Sequence, residues 1–516
     1  MQTKYELDLV LVHPGNRIQI YQSLGTSLSA IEPPVWASLM ATFIRRRGFS
    51  VHVLDAEADN LTPEQTATRI GEMDPLLTAV VVYGHQPSAS TQNMTAAGAI
   101  CTAIKQADPE RKVLLVGGHV AALPERTLRE EAADFVCSGE GPYTVLELLQ
   151  ALKSSGRPNY GNVRGLCYWA DGGINGTTPA PLVRQLDQEM PEMAWDILPM
   201  EKYRAHNWHC FGDLERQPYA SFYTTFGCPY HCSFCCIQAP FKTGEREAGW
   251  KESVNSYRFW SPAAVIAQIE KLVTNYGVRN IKIADEMFVL NPRHVHGICD
   301  AIIERGYDLN IWAYARVDTV RDDMLDKLRR AGFNWLAFGI EAASERVRDD
   351  VDKGFGQEEI FRTIEKVRAA GINVIGNYIF GLPEDDLQSM QATLNLAIEL
   401  NCEFANFYSA MAYPGSQLYN LAIEQGWPLP EKWSGYSQHA IDALPLPTKH
   451  LSGAEVLRFR DKAFHRYFGS ESYLELVTRK FGPETAQHTR EMASHKLERK
   501  YVPSGPSEAN RVVGQQ

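Results

Sequence analysis

The sequence has no long hydrophobic run and no cluster of basic residues. Its N-terminus lacks the apolar segment of a signal peptide, and no window approaches the roughly 18 apolar residues of a membrane helix. We therefore expect a cytoplasmic protein without a membrane span. The 516 residues carry a net charge of -11. Because binding to nucleic acid needs clustered Lys and Arg, this composition argues against such a partner and favours a small-molecule or peptide substrate.

Cysteine is scattered outside one short loop. Six of the ten cysteines are isolated and suit small buried hydrophobic positions: Cys101, Cys137, Cys167, Cys210, Cys299 and Cys402. Nothing in this pattern indicates the disulfides of an oxidising compartment. A second Cys-x-x-Cys or Cys/His pair, which a structural zinc site would more often show, is also missing. The exception is residues 225–236, which read TFGCPYHCSFCC.

Three thiols of this loop have the spacing of ligands to one soft metal centre. Cys228, Cys232 and Cys235 are separated by three and then two residues, and an iron-sulfur cluster is the usual occupant of such a loop. Three ligands on a four-iron cluster leave one iron open to bind and activate a small molecule. Cys236 or His231 could supply a fourth ligand, so structural zinc or a closed cluster remains the alternative.

The loop resembles the signature of the radical S-adenosylmethionine (SAM) enzymes. In that family the open iron chelates the amino and carboxylate groups of SAM. An aromatic residue before the last ligand, here Phe234, lies against the adenine. The resemblance implies a [4Fe-4S] cluster on the three cysteines, SAM as a second cofactor, and an electron donor such as flavodoxin or ferredoxin.

Before this loop, residues 1–155 alternate short β-branched strands with amphipathic helices. Strands at 9–12, 51–54, 79–83, 113–116 and 135–137 predict a doubly wound, Rossmann-like parallel sheet in an α/β fold. Such sheets bind ligands at the carboxyl ends of their strands. Glycine-rich turns stand at three of these ends, and they contain Gly84, Gly117, Gly118, His119, Ser138, Gly139, Glu140 and Gly141.

Together with the cysteine loop, these turns resemble the cobalamin-binding domain of B12-dependent radical SAM enzymes. The resemblance implies a sheet that cradles the lower face of the corrin and takes up its nucleotide tail. The Asp-x-His-x-x-Gly loop that delivers an axial histidine in other cobalamin proteins is missing, since residues 13–17 read HPGNR. We therefore expect no histidine on cobalt, although His85 or His119 could reach it. A sheet that has lost cofactor binding is the alternative.

A second alternation follows a connector at residues 156–218, which contains a predicted hairpin. Strands at 220–225, 280–284, 309–313, 335–340, 374–380 and 404–408 predict a partial (β/α)6 barrel over residues 219–415. Active sites of barrels lie on the loops after the strands, and the cysteine loop follows the first strand. Residues 416–501 predict a helical region that caps the barrel and shapes a substrate pocket. We expect the tail, residues 502–516, to be disordered.

Polar residues stand at the ends of the later strands, where the resemblance places SAM. Asp285 and Glu286 take the position of the family's acidic motif, which accepts from the SAM amino group. Arg316 could face the SAM carboxylate or a ribose, or form a surface ion pair. Glu341 resembles another family motif, and Asn377 is expected near the ribose.

The resemblance covers about residues 5–420 and implies a methyltransferase that acts on an unreactive carbon or, less often, on phosphorus. In the family's mechanism one SAM methylates cob(I)alamin, and the 5′-deoxyadenosyl radical from a second SAM removes a hydrogen atom from the substrate. The substrate radical then takes the methyl group from methylcobalamin. Cyclisation or rearrangement on the same domains, and a non-enzymatic sensor that binds cobalamin or the cluster, remain alternatives. Methylthiotransferases need further N-terminal cluster cysteines that the chain lacks.

Overall fold

A computed structural model describes residues 7–15, 22, 29–84, 86–170, 172–212 and 214–502. Two large sheets organise this part of the chain. The strands of the first are β1 (Leu7–His13), β2 (Val51–Asp55), β3 (Pro75–Val82), β4 (Val113–Gly117), β5 (Phe135–Cys137), β6 (Leu166–Ala170) and β7 (Gly173–Gly176).

The first sheet has seven strands in the spatial order β2-β1-β3-β4-β5-β6-β7. Strands β1 to β5 pair in parallel, as predicted. Strands β6 and β7 form the predicted hairpin, which pairs antiparallel with β5 and so extends this sheet. The strand order reverses between β1 and β3, and such a switch point opens a crevice for a ligand.

Helices cover both faces of this sheet. Leu9 and Leu11 belong to the hydrophobic cluster on one face, and Val10 and Val12 belong to the cluster on the other. Because successive side chains of a strand point to opposite faces, a strand covered on both sides is apolar over most of its length. The helices are α1 (Val35–Arg45), α2 (Pro63–Met73), α3 (Ala89–Ala107), α4 (Gly118–Ala122), α5 (Pro124–Glu130) and α6 (Pro142–Lys153).

The second large sheet is the predicted partial barrel. Its strands are β8 (Tyr219–Phe222), β11 (Asn280–Ile283), β12 (Asn310–Ala315), β13 (Phe333–Glu341), β14 (Asn373–Phe380) and β15 (Phe404–Ser409). They pair in parallel in chain order, from β8 at one edge to β15 at the other. The predicted α/β class, a doubly wound sheet followed by a partial barrel and a helical C-terminal region, is confirmed.

The helices around the barrel begin and end with strong local signals. In the helix Pro262–Tyr276, for example, Ser261 caps the first turn, Pro262 occupies the first position, and Gly277 ends the helix with φ +63°. The connector contains α7 (Leu186–Glu189). The barrel helices are α8 (Lys242–Glu247), α9 (Pro262–Tyr276), α10 (Pro292–Arg305), α11 (Asp322–Arg330), α12 (Glu345–Asp350), α13 (Gln357–Ala369) and α14 (Leu387–Leu400).

The predicted first barrel strand, residues 220–225, is shorter than expected. Strand β8 ends at Phe222, and a separate strand β9 (Thr225–Gly227) pairs antiparallel with β10 (Tyr257–Phe259). The break falls at Thr224, whose backbone N–H donates to the Asp285 carboxylate at 2.5 Å instead of to a neighbouring strand. This break gives the cysteine loop a small hairpin of its own as a support.

The C-terminal region packs on the last barrel strands. It contains α15 (Gln417–Glu424), a 3-10 helix (Trp433–Tyr436), α16 (Gly453–Phe468), α17 (Glu471–Phe481) and α18 (Pro483–Ser494). Tyr467 and Tyr473 are buried and donate to the backbone oxygens of Cys402 and Glu403, at 2.7 and 3.0 Å. The predicted tail lies, from residue 503 on, outside the described residues. Among the described helices, none combines the length and the apolar character needed to cross a membrane.

Candidate active site

The cysteine loop leaves β9 through a glycine that no other residue can replace without strain. Gly227 has φ +83°, and a Cβ there would collide with the Ser256 carbonyl. The Cys228 N–H donates to the side-chain oxygen of Gln238 at 3.1 Å, and Gln238 in turn donates to Glu245 at 2.7 Å. The start of the loop is therefore held by a chain of hydrogen bonds that runs through the side chains of Gln238 and Glu245.

The three predicted ligands line one cavity of about 260 Å³. Burial raises the pKa of the Cys228 thiol to about 12, so the thiolates need the positive charge of a metal centre to form. Within the described residues, no group of three or more His, Cys, Asp and Glu converges tightly enough for a single metal ion. A four-iron cluster is larger than one ion, and three thiols around a shared cavity fit it.

The two alternative ligands differ in position. Cys236 is buried and lines the same cavity, whereas His231 is not among the lining residues. That Cys228, Cys232 and Cys235 are the three ligands stays a prediction, and so does the role of Cys236.

The acidic pair at the end of β11 divides between two environments. Asp285 is buried and accepts from the Thr224 N–H and hydroxyl, both at 2.5 Å, and from the Thr225 N–H at 3.1 Å. Glu286 instead lines the cysteine cavity, and its Oε1 is buried without a hydrogen-bond partner. Burial raises the pKa of Glu286 to about 7. An unpartnered carboxylate oxygen facing a cavity fits the ammonium group of SAM.

Glu341 lines the same cavity from a strained backbone position. Its φ is +64°, in the left-handed region, which costs a residue other than glycine about 1–3 kcal/mol and is concentrated at functional sites. Its carboxylate pairs with Lys353 at 2.8 Å, and both side chains are buried. Sequence reasoning missed Lys353, which lies between α12 and α13 and belongs to no motif.

Arg316 is buried beside the cysteine loop. It pairs with Asp318 at 2.9 Å, lies 4.1 Å above the Tyr230 ring and donates to Cys232 Sγ at 3.8 Å. The predicted ion pair is therefore present, but the prediction that it lies at the surface is wrong, because Arg316 is buried. Arg316 keeps a positive charge next to a predicted cluster ligand.

Phe234 and Asn377 complete the wall of the cavity. Phe234 packs against a hydrophobic cluster that includes Ala342, Leu382 and Ala410. Asn377 donates to the Phe338 carbonyl at 3.1 Å and accepts from the Asn406 amide at 2.9 Å. Its amide is thus held at the border of the cavity by its neighbours.

The glycine-rich turns of the first sheet allow close backbone contact. A Cβ at Gly84 would collide with Ala89, and one at Gly117 would collide with the Val82 carbonyl. Gly141 has φ +113°, which excludes most other residues. By contrast, a Cβ at Gly118 would find its nearest neighbour at 3.6 Å. The strand ends at the predicted cobalamin site are therefore closely packed at some glycines and open at others.

His119 is covered by the C-terminal region. Its ring Nδ1 lies 3.2 Å from the Thr91 hydroxyl, its edge packs on the Trp433 ring at 4.3 Å, and its backbone N–H donates to Ser90 at 2.9 Å. Burial lowers the pKa of this imidazole to about 3, so the ring is neutral. His85, the other histidine considered for cobalt, lies outside the described residues.

The turn after β5 faces the barrel. The Ser138 carbonyl accepts from the Thr243 hydroxyl at 3.0 Å. A Cβ at Gly139 would lie 3.0 Å from the hydroxyl oxygen of Thr243. The Glu140 carboxylate pairs with Arg258 of the barrel domain at 3.0 Å. The carboxylate of Glu140 is therefore bound by protein groups, although the turn itself was predicted to contact cobalamin.

A second cavity of about 310 Å³ adjoins the first. Six residues line both of them, and they come from both halves of the chain: Gln86, Ser88, Tyr314, Asn377, Tyr408 and Tyr413. Gln86 and Ser88 follow β3 of the first sheet, and Tyr314 and Tyr408 lie on barrel strands. The two cavities thus meet at a junction to which both sheets contribute, but none of the glycine-rich turn residues predicted to contact cobalamin lines either cavity.

Both halves of the chain match known family models. Residues 222–397 match the model of the radical SAM superfamily, and residues 21–149 match the model of the B12 binding domain. The protein is therefore a radical SAM enzyme that carries an N-terminal B12-binding domain. Its cofactors are cobalamin, SAM and a [4Fe-4S] cluster, and the residues of the cysteine cavity fit the last two.

Several known proteins are similar over most of the chain. An uncharacterized methyltransferase of Pyrococcus horikoshii is 28% identical over 463 residues, which cover 90% of this chain and 92% of that protein. The anaerobic magnesium-protoporphyrin IX monomethyl ester cyclase of Rubrivivax gelatinosus is 26% identical over 418 residues, 80% of this chain and 69% of the cyclase.

Two solved structures share the fold. The radical SAM methyltransferase TsrM from Kitasatospora setae, with cobalamin and a [4Fe-4S] cluster bound, has a TM-score of 0.64 at 16% identity and covers 94% of this chain and 100% of its own. The cobalamin-dependent radical enzyme OxsB, with aqua-cobalamin and SAM bound, has a TM-score of 0.69 at 15% identity and covers 95% of this chain and 72% of its own.

Proposed function

We propose that the protein is a cobalamin-dependent radical SAM methyltransferase that methylates an unactivated carbon, or phosphorus, of a small molecule or peptide. The observation that carries this proposal is the junction of the two cavities, which residues of both domains line. When bound, cobalamin supplies a transferable methyl group, and the cluster with SAM supplies a 5′-deoxyadenosyl radical. One substrate atom must be reached from both sides, and the junction offers a place for it.

The residues of the cysteine cavity would hold SAM. The free oxygen of Glu286 would accept from the SAM ammonium group, and Phe234 would pack on the adenine. Asn377 is held at the border toward the second cavity, near the expected ribose. Apolar side chains that include Ile379 and Met411 line the remaining wall. Such a wall keeps water away from a radical, which would otherwise react before it meets the substrate.

The second cavity would take the substrate. Its amide side chains include Asn377, Asn406 and Gln438, and its aromatic rings include Tyr314 and Tyr408. Amides and tyrosines recognise a molecule that presents hydrogen-bonding groups and a flat apolar face. A volume of about 310 Å³ suits a small molecule or one side chain of a peptide.

The relatives support this proposal and also the alternative. The Pyrococcus horikoshii relative and TsrM are methyltransferases by name, whereas the Rubrivivax gelatinosus relative is a cyclase. A cyclase would need the radical but no methyl transfer. A flavodoxin or ferredoxin as electron donor and a cytoplasmic location are parts of the proposal.

The experiment that separates these functions measures both SAM products. The reconstituted enzyme is incubated with reductant, methyl-labelled SAM and candidate substrates suggested by neighbouring genes. Equal amounts of S-adenosylhomocysteine and 5′-deoxyadenosine, with a labelled methyl group in the product, are expected. Turnover that yields 5′-deoxyadenosine and an unlabelled product without S-adenosylhomocysteine would establish the cyclase or rearrangement alternative, and cofactor binding without any SAM cleavage would indicate a sensor.

A further inference from the structure

A buried ion pair joins the two cofactor-binding domains. Glu140, in the turn after β5, lies with its Oε1 and Oε2 3.0 and 3.2 Å from the same guanidinium nitrogen of Arg258, on β10. The Val183 N–H donates to the same carboxylate at 3.0 Å. The side chains of Glu140 and Arg258 are only 2% and 9% exposed. A pair so far from solvent holds its geometry more firmly than a surface salt bridge does.

Each partner of this pair is close in sequence to a predicted cofactor site. Glu140 stands between Gly139 and Gly141, in the turn predicted to contact cobalamin. Arg258 is the register partner of Phe226 in the β9–β10 hairpin, and Phe226 precedes Cys228 by two residues. A displacement of Glu140 or Arg258 would therefore reach the nearby cofactor site through only a few residues of backbone.

An aromatic stack makes a second connection between the same two places. The Trp36 ring lies between those of Tyr83 and Phe226, at centroid distances of 4.1 and 4.5 Å and interplanar angles of 13° and 6°. Tyr83 directly precedes Gly84, and its hydroxyl donates to the Glu140 backbone oxygen at 3.0 Å. Arg258 lies 5.5 Å from the Phe226 ring. The ion pair and the stack thus form one rigid contact, which we name the interdomain clamp: Glu140, Arg258, Tyr83, Trp36 and Phe226.

We propose that the interdomain clamp sets the distance and orientation between cobalamin and the [4Fe-4S] cluster, and that Glu140 and Arg258 are positioning residues for methyl transfer rather than cofactor ligands. The effect on methyl transfer rests on the proposed function, whereas the effect on spacing requires only that both cofactors bind. A displacement of about 1 Å in a reacting pair can cost roughly a hundredfold in rate. Loss of the clamp should therefore slow methyl transfer more than it slows SAM cleavage.

The chain offers a matched control for a change at Glu140. Glu403 is also a buried carboxylate, with a side chain 2% exposed, that pairs with an arginine, Arg368, at 3.1 Å. It likewise accepts from a backbone N–H, that of Val374, at 2.9 Å. A third partner of the Glu403 carboxylate is Lys480. All three partners belong to the barrel or to the C-terminal helices. The substitution E403Q therefore removes a comparable buried charge away from the domain boundary.

The test compares the wild type with E140Q, R258K and E403Q, each loaded with cluster and hydroxocobalamin. Electron paramagnetic resonance of samples that contain the reduced cluster and cob(II)alamin reports the magnetic interaction of the two centres, which depends steeply on distance. We expect an interaction in the wild type and in E403Q, and a changed one in E140Q and R258K, because lysine lacks the planar guanidinium that lies near the Phe226 and Phe241 rings. With a substrate in hand, we expect 5′-deoxyadenosine per methylated product to rise in E140Q by up to about a hundredfold.

Four results would overturn the proposal, and the first three concern the spectra. They are a wild type without interaction between the centres, an E140Q protein with both cofactors and the wild-type spectrum, and an E403Q protein changed as much as E140Q. Loss of cobalamin in E140Q but not in R258K would also overturn it, because that pattern is expected of a cofactor contact. Changed spectra in a protein whose turnover yields 5′-deoxyadenosine and an unlabelled product without S-adenosylhomocysteine would refute the methyltransferase function and leave the clamp in place.

Discussion

The two cofactor sites differ in whether their predicted residues lie together in the structure. In the barrel, Glu286 and the cysteine loop with Cys228, Cys232 and Cys235 follow different strands and line one cavity. In the first sheet, the predicted residues separate, because His119 is covered by the C-terminal region and Glu140 is turned toward the barrel. Barrel strands converge at their carboxyl ends and bring side chains together. The glycine-rich strand ends of the first sheet present mainly backbone. Other parts of the chain can therefore pack against the same surface.

The largest expected effect is the loss of the cluster. Any one of Cys228→Ala, Cys232→Ala and Cys235→Ala should abolish the reconstituted [4Fe-4S] cluster and all SAM cleavage, because an iron without its thiolate is not retained. Iron content and 5′-deoxyadenosine measure this. Cys236→Ala is the control and should keep its iron. Iron lost in the Cys236 variant but kept in one of the other three would show that the ligand set is wrong.

The next effect concerns Glu286. Glu286→Gln should weaken SAM binding by about 2 kcal/mol, since it removes one charge-assisted hydrogen bond, and equilibrium dialysis measures this. Because the pKa of this carboxyl is about 7, its protonated form prevails below that pH. SAM affinity should therefore rise as the pH passes from 6 to 8, and the Gln variant should lose that part of the dependence.

The same pKa has an opposite consequence for stability without SAM. The pKa of Glu286 is higher in the folded state than in the unfolded state, so folding favours the protonated carboxyl. The free energy of unfolding should therefore fall as the pH rises from the pKa of the unfolded state toward about 7. Glu286→Gln should abolish this loss in a urea titration at two pH values. Unchanged SAM affinity in the variant at pH 8 would place the SAM ammonium elsewhere.

A smaller effect is expected at the glycines of the first sheet. Gly117→Ala should destabilise the protein by about 1–3 kcal/mol and weaken cobalamin binding, because the new Cβ would displace the end of β3 at Val82. Gly118→Ala is the matched control, since its Cβ would have room. Urea unfolding and cobalamin retention after gel filtration measure both. Equal effects at the two positions would mean that the close approach at Gly117 is not what matters.

The smallest effect is expected at His119. Cob(II)alamin bound to the protein should show no nitrogen hyperfine splitting from an axial base, and His119→Ala should leave this spectrum unchanged, because Thr91 and Trp433 hold the ring. Electron paramagnetic resonance measures both. Nitrogen splitting that disappears in His119→Ala or in His85→Ala would refute the histidine-free cobalt.

The sequence predicts the parts of this molecule that depend on local pattern. Alternating strands and helices define both sheets, and the cysteine spacing defines the loop after β9 without reference to anything distant. Lys353 and Arg258 could not be found in this way, because their partners, Glu341 and Glu140, are assigned only by three-dimensional folding. The same holds for the separation of Asp285 from Glu286. Neighbours in sequence share a motif, but only the break at Thr224 decides which of them faces the cavity.

The hairpin of β6 and β7 decides where the chain can be divided for separate expression. A cut at residue 155 would remove the antiparallel neighbour of β5 and leave three residues, Phe135–Cys137, as an unprotected edge. Exposed sheet edges of this kind recruit other chains and aggregate. A fragment that runs past Gly176 keeps the edge covered by a short, glycine-flanked strand. The end of the linker hairpin, and not the end of the last predicted helix, is therefore where the first sheet ends along the chain.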